Sequence, residues 1–183
     1  MKLLVGLGNP DNIYRDTRHN IGFTIIDALA SNLFPSELWQ SSKKLHALYI
    51  KTSEYILIKP QTYMNESGLS VLQTKQLYKI DIKDIWVFQD DLDLPFNTFK
   101  IQTDRGSAGH NGIKSIIEHL GGTGFTRWRV GIGKSPIIPS ADYVLHKFSS
   151  QELHELQSTI NTIIESVKFA QSNDLIETIK KFH

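Results

Sequence analysis

Residues 6–23, GLGNPDNIYRDTRHNIGF, decide how this chain folds. They follow the apolar run Lys2–Val5 and end it with Gly6, Gly8, Asn9 and Pro10, a cluster that takes the backbone out of a sheet. Ten residues after Asn9 comes His19, flanked by Arg18 and Asn20 and placed just before an apolar-periodic segment. A strand, a polar connection and a helix in that order begin an α/β fold, and such sheets hold their chemistry in crevices beyond strand ends. An amide and an imidazole at this first connection therefore mark a candidate site.

The rest of the chain extends the pattern. Short β-branched or aromatic runs predict strands at Lys2–Gly6, Leu45–Lys51, Tyr55–Ile58, Ile85–Gln89, Thr98–Gln102 and Arg127–Ile132. Helical spacing of Phe23, Ile26, Ala30 and Leu33 predicts a helix over about Asn20–Leu33. Others are expected over about Ser67–Tyr78 and Gly112–Leu120, with a short terminal one after Asn173. A long helix begins at Ser149 and Glu152, which have capping-box spacing, and carries Leu153, Leu156, Ile160, Ile163, Val167 and Ala170 on one stripe. Helices interleaved with strands predict a single-domain α/β sandwich over residues 1–183. Its sheet is mixed and mostly parallel, because Leu45–Ile58 reads as an antiparallel pair.

Composition narrows the class. At 183 residues, 40% of them hydrophobic, the chain can bury a substantial core without covalent staples. It has no cysteine, which removes disulfide and thiolate chemistry. The N-terminus lacks the apolar run of a secretory signal, and no stretch of about 18 apolar residues suggests a membrane span, so a cytoplasmic protein is expected. The net charge of +1 conceals a local excess: residues 100–147 carry seven basic and three acidic side chains. That excess suits phosphates, although a solvated surface accounts for it equally well on charge alone.

Several motif readings fail on their own terms. Gly6 and Gly8 lack the third glycine and the prompt helix of a dinucleotide-binding turn, and Asp11 stands where a phosphate would lie. Gly133-Lys134-Ser135 lacks the first P-loop glycine, since Trp128 occupies that place. Gly106-Ser107-Ala108-Gly109 is one residue off a nucleophile elbow, which needs glycine two places on either side of the serine. His154-Glu155 is not followed by the second histidine of a zinc helix.

Three clusters join His19 instead. They are PQTYMNESG (60–68), QDDLDLP (89–95) after an apolar strand, and GSAGHNG (106–112) before a helix. If all converge on one rim of the sheet, the site contains imidazole, carboxylate, neutral amides and some cations, with no sulfur nucleophile and no metal set. A carboxylate-oriented imidazole is a general base. Without an activated serine or cysteine, its nucleophile is water. Side-chain amides suit peptide groups and a developing oxyanion. Hydrolysis of an ester or amide next to a peptide is the chemistry this inventory suggests, with no cofactor. For Asp91 and Asp93, turn-fixing is as good a reading as catalysis.

Taken together, VGLGNP, Tyr14 with TRHNIGF, KPQTYMNESG, DDLDLP, AGHNGIKSI, RWRVGIG and DYVLHKF resemble the bacterial-type peptidyl-tRNA hydrolase family, from residue 5 to 148. The resemblance implies hydrolysis of the ester between a peptide and the 3′-terminal ribose of tRNA, which recycles tRNA lost from stalled ribosomes. It implies that His19 is the base and Asp90 the carboxylate that orients it. Asn9 would position substrate or water, and Asn65 and Asn111 would hold the peptide backbone and tRNA terminus. Tyr14 and Met64 would line the cleft. His110 would sit near the RNA-contacting side, and Lys100 and Arg129 would meet acceptor-stem phosphates. Gln102 occupies a place where the family often has a base, which puts a two-point phosphate clamp in question. The expected partner is peptidyl-tRNA, the expected state a monomer. The alternative is an RNA-binding module of the same fold without hydrolytic activity.

Overall fold

Both faces of the first strand are buried, with Leu3 and Val5 packing on one side and Leu4 on the other, as a central parallel strand requires. The computed structural model describes residues 1–182. In it Lys2–Gly6 (β1) lies between Tyr55–Pro60 (β4) and Ile85–Asp91 (β5), parallel to both. Outside β5 come Thr126–Gly131 (β7), also parallel, and the antiparallel edge Phe99–Thr103 (β6). On the other side, Ala47–Lys51 (β3) and Gln40–Ser42 (β2) add two antiparallel pairings. The order is β2-β3-β4-β1-β5-β7-β6, the expected mixed sheet with a parallel centre.

Helices cover both faces. Ile21–Leu33 (α1) and Ser150–Ser172 (α5) lie over Leu4, Phe88 and Trp128; Ser67–Tyr78 (α2) and Asn111–Leu120 (α3) lie over Leu3, Val5 and Val87. Burial of each large aliphatic side chain in these layers contributes about 1.5–3 kcal/mol. Trp128, the largest fully buried side chain, satisfies its indole N–H on Ser166 Oγ at 2.9 Å. The capping box predicted for α5 is formed: Ser149 Oγ accepts from Glu152 N, and the Glu152 carboxylate accepts from Ser149 N. Short helices Ser140–Tyr143 (α4) and Leu175–Phe182 (α6) complete the chain. Among the described residues no helix is long and apolar enough to cross a membrane.

Each predicted strand and helix lies within a few residues of an observed one, but the polar strand β2 and the four-residue α4, which carry no periodicity, went unpredicted. A third difference affects the site. The glycine-rich 106–112 segment does follow a strand, but β6 is antiparallel and ends opposite the start of β7, at the far rim. Residues 104–109 must therefore return along the sheet before α3 can begin. The buried Arg127 fixes this strap by donating to the Gly106 carbonyl at 3.0 Å, and the strap turns at Ala108 and Gly109, both in the left-handed region.

Two glycines set how closely the site approaches the sheet. A Cβ on Gly22 would lie 2.4 Å from Leu7 N and from Phe88 O, and one on Gly6 would lie 2.4 Å from Gly22 O. Only hydrogens at both positions let the first turn of α1 rest directly on the ends of β1 and β5. That contact brings the preceding residue pair, His19 and Asn20, over the rim.

Candidate active site

His19 occupies a 3-10 turn (Arg18–Asn20) that runs into α1, and Asp90 is the sixth residue of β5. His19 Nδ1 lies 2.9 Å from Asp90 Oδ1 and 3.0 Å from Oδ2. His110, the N-cap of α3, brings Nε2 to 3.0 Å from the same Oδ1, while its Nδ1 accepts the Ile113 N–H. The two imidazoles stand 5.0 Å apart with Asp90 bonded to both.

Proton positions follow from these partners. Asp90 is 2% exposed; burial alone would raise its pKa, but the two imidazoles outweigh that and hold it well below the usual carboxylate range. An ionised carboxylate only accepts, so His19 carries its proton on Nδ1 and His110 on Nε2. The Ile113 N–H fixes the His110 tautomer independently. His19 is left with a lone pair on Nε2, and among the described residues no donor occupies it. Burial lowers the His19 pKa, but the Asp90 charge and hydrogen bond outweigh it, and the net result is raised. These three side chains also converge closely enough to suggest a metal triad. His19 Nδ1 and His110 Nε2, however, each already hold a proton for the carboxylate, so neither offers a lone pair at the point of convergence.

Asn9 leaves β1 and is buried. Asn20 grips its backbone at both ends, accepting from Asn9 N and donating to Asn9 O, each at 2.9 Å. Asn9 Oδ1 accepts from Met64 N at 2.9 Å, which leaves the Nδ2 amide as the group available to donate. Met64 is buried, and its Sδ faces Gly112, where a Cβ would lie 2.5 Å away. The rims of β1, β4, β5 and the start of α3 thus meet at one place, as the sequence clusters predicted.

Beside this centre a cleft of about 450 Å³ is lined by Gln89–Asp93, Ser107–Asn111, Lys134, Ser140, Ala141 and Val144. Asp90 and His110 belong to its wall; His19, Asn9 and Met64 do not. Asp91 and Asp93 fix the turn, in keeping with their plainer reading. Asp91 Oδ1 accepts from Asp93 N, and Asp93 pairs with Lys134 at 2.5 Å across the cleft mouth.

The same arrangement of motifs extends along the whole sequence: residues 3–183 match the family pattern described as peptidyl-tRNA hydrolase. The chain belongs to the peptidyl-tRNA hydrolase family. It is 41% identical over 183 residues to the peptidyl-tRNA hydrolase of Aliarcobacter butzleri, covering 100% of this chain and 98% of that protein. It is 38% identical over 189 residues to that of Bacillus subtilis, with coverage of 100% and 98%. A crystal structure of a peptidyl-tRNA hydrolase point mutant from Acinetobacter baumannii superposes with a TM-score of 0.92 at 31% identity, covering 100% of this chain and 94% of that one.

The resemblance to peptidyl-tRNA hydrolases singled out ten residues, and the structure brings some of them together. His19, Asp90 and His110 form one hydrogen-bonded cluster, and Asn9 and Met64, bonded to each other, lie beside it, with Met64 and His110 both packed at Gly112. Asn111, the first residue of α3, faces the cleft. Asn65 is exposed on the 3-10 turn beside Met64. Tyr14 is half-buried and ends the 3-10 turn Asn12–Tyr14, where its carbonyl accepts from the Thr17 hydroxyl.

Two of these residues already have partners within the protein. His110 is bonded to Asp90. Arg129, expected at a phosphate, is committed internally: its Nε donates to Asp91 Oδ2 at 2.6 Å and its Nη1 to Gln102 Oε1 at 2.5 Å. Gln102 thus holds Arg129 instead of supplying a second cation. Lys100, opposite Arg129 in the ladder, is exposed. Asn20 and Arg18 were noticed only as neighbours of His19, because their side-chain grips on distant backbone leave no sequence pattern.

Proposed function

We propose that the chain is a peptidyl-tRNA hydrolase that cleaves the ester between a peptide and the 3′-terminal ribose of tRNA, with His19 activating water. The observation that carries this reading is the Asp90 carboxylate, which takes the Nδ1–H of His19 with both oxygens and leaves Nε2 with its lone pair. Water bound at Nε2 gives up a proton as its oxygen attacks the ester carbonyl. Asp90 stabilises the imidazolium that forms, and His110 keeps the carboxylate in place from the other side. The Nδ2 amide of Asn9 and the amide of Asn111 are donors to the oxyanion. When the tetrahedral intermediate collapses, the imidazolium returns its proton to the departing ribose oxygen. The peptide leaves as a carboxylic acid and the tRNA with a free hydroxyl.

Asn65, Tyr14 and Met64 support the peptide and the terminal nucleotide, and Lys100 meets an acceptor-stem phosphate. On this reading the enzyme acts on peptidyl-tRNA in the cytoplasm, as a monomer. Incubating the chain with an N-blocked aminoacyl-tRNA tests the reading: free tRNA and the blocked amino acid are expected. Binding without release would contradict hydrolysis and favour an RNA-binding module.

A further inference from the structure

The residue before the proposed base is an arginine buried to the same degree as the core. The Arg18 side chain is 9% exposed, stacked 4.5 Å over the Tyr143 ring and 5.0 Å from that of Phe148. Its Nη1 donates to the Lys147 carbonyl at 2.7 Å and to that of His146 at 3.3 Å, and its Nη2 donates to Glu152 Oε1 at 2.6 Å. The backbones are laced together as well. Arg18 N donates to His146 O, His19 N to Val144 O at 2.8 Å, and Phe148 N to Asp16 O. Glu152 has two tasks, since its other oxygen accepts from Ser149 N and caps α5. Val144, whose carbonyl holds the His19 backbone, also lines the cleft with Ser140 and Ala141.

We propose that Arg18 is a positioning residue: its guanidinium clamps residues 146–147 and the first turn of α5, and so holds the Val144 carbonyl that fixes the backbone of His19. This rests on His19 being the base. The clamp is a planar fork with stacked faces, which suits arginine and no other cation. Through it the segment that walls the cleft and the base are one rigid unit. A shift in residues 143–148 becomes a shift of the imidazole relative to Asp90.

Arg18→Ala, Glu152→Ala and Ser149→Ala test this in the full-length chain. A misplacement of about 1 Å costs about 10²-fold, so Arg18→Ala should lower kcat about 10- to 100-fold with KM little changed. Glu152→Ala, which keeps the arginine, should give a smaller loss of the same kind and serves if Arg18→Ala does not fold. Ser149→Ala removes the cap but not the clamp; it should lower Tm and leave kcat within about twofold. The deciding readout is the NMR titration of the His19 imidazole, which should move downward in the Arg18 and Glu152 variants as the Asp90 contact loosens, and stay put in Ser149→Ala. A folded Arg18→Ala with unchanged kcat would overturn the proposal, and so would a loss of kcat with an unmoved titration. If the parent chain releases no tRNA, the hydrolase reading fails, and the His19 titrations still decide whether Arg18 positions the imidazole.

Discussion

Replacing Asp90 by Asn keeps the volume of the side chain and removes one charge and one acceptor. In the parent, Oδ1 serves both His19 Nδ1 and His110 Nε2, at 2.9 and 3.0 Å, and Oδ2 also lies 3.0 Å from His19 Nδ1. An amide oxygen at the shared position still accepts from both rings, but its NH₂ then faces the Nδ1–H of His19 donor to donor. His19 relieves this by moving its proton to Nε2, and the nitrogen meant for water loses its lone pair. The charge is lost as well. At about 4 Å and an effective dielectric near 20 the imidazolium–carboxylate attraction is about 4 kcal/mol. With the tautomer penalty added, a loss of about 5 kcal/mol in transition-state stabilisation is reasonable, a rate decrease of about 10³ to 10⁴. The same exchange in Ser-His-Asp hydrolases has an effect of that size. Single-turnover release of tRNA from an N-blocked aminoacyl-tRNA measures it, with near-UV circular dichroism confirming the fold. A folded variant that retains more than about a tenth of the parent rate would refute the role given to Asp90.

Because Asp90 raises the His19 pKa, kcat/KM should climb with pH and level off only above about 6.5, and Asp90→Asn should move the midpoint below that, where burial acts unopposed. The linked stability has two signs. The His19 contribution is complete below about 6.5 and is lost as pH rises through the folded-state value. That of Asp90, whose pKa is lowered, is present above about 4 and is lost as pH falls through its folded-state value; thermal melts across both ranges check this. Lys100→Ala should reduce the slope of log affinity against log salt by about one, whereas Arg129→Ala, with its cation already paired, should leave the slope unchanged. Gly22→Ala would force a methyl to within 2.4 Å of two backbone atoms and should cost about 1–3 kcal/mol or more in urea unfolding; an unchanged midpoint would contradict the close contact.

What the sequence made legible was whatever is local and periodic. The buried strands β1 and β5 read as continuous apolar runs, α1 and α5 as stripes, and the α5 start as a capping box. His19 and Asp90 were identifiable because family motifs preserve their order along the chain. Contacts made across the sheet were not legible. β2 owes its existence to pairing with β3, since Gln40–Ser42 has no apolar face of its own. The bond between His110 and Asp90 depends on a strap that travels back along the sheet from β6. Arg129 seemed free because Asp91 and Gln102, which neutralise and hold it, reach it from β5 and β6. Asn20 and Arg18 bind main-chain carbonyls and amides, which any sequence supplies.

The proposed hydrolysis depends most directly on His19. Its replacement by alanine removes the lone-pair nitrogen proposed to take the proton from water, while Asn9, Met64 and His110 keep their own partners. Single-turnover cleavage of an N-blocked aminoacyl-tRNA should slow by about 10² to 10⁴ in His19→Ala, the usual worth of a positioned base, with substrate binding largely retained. Cleavage at the parent rate would contradict the account.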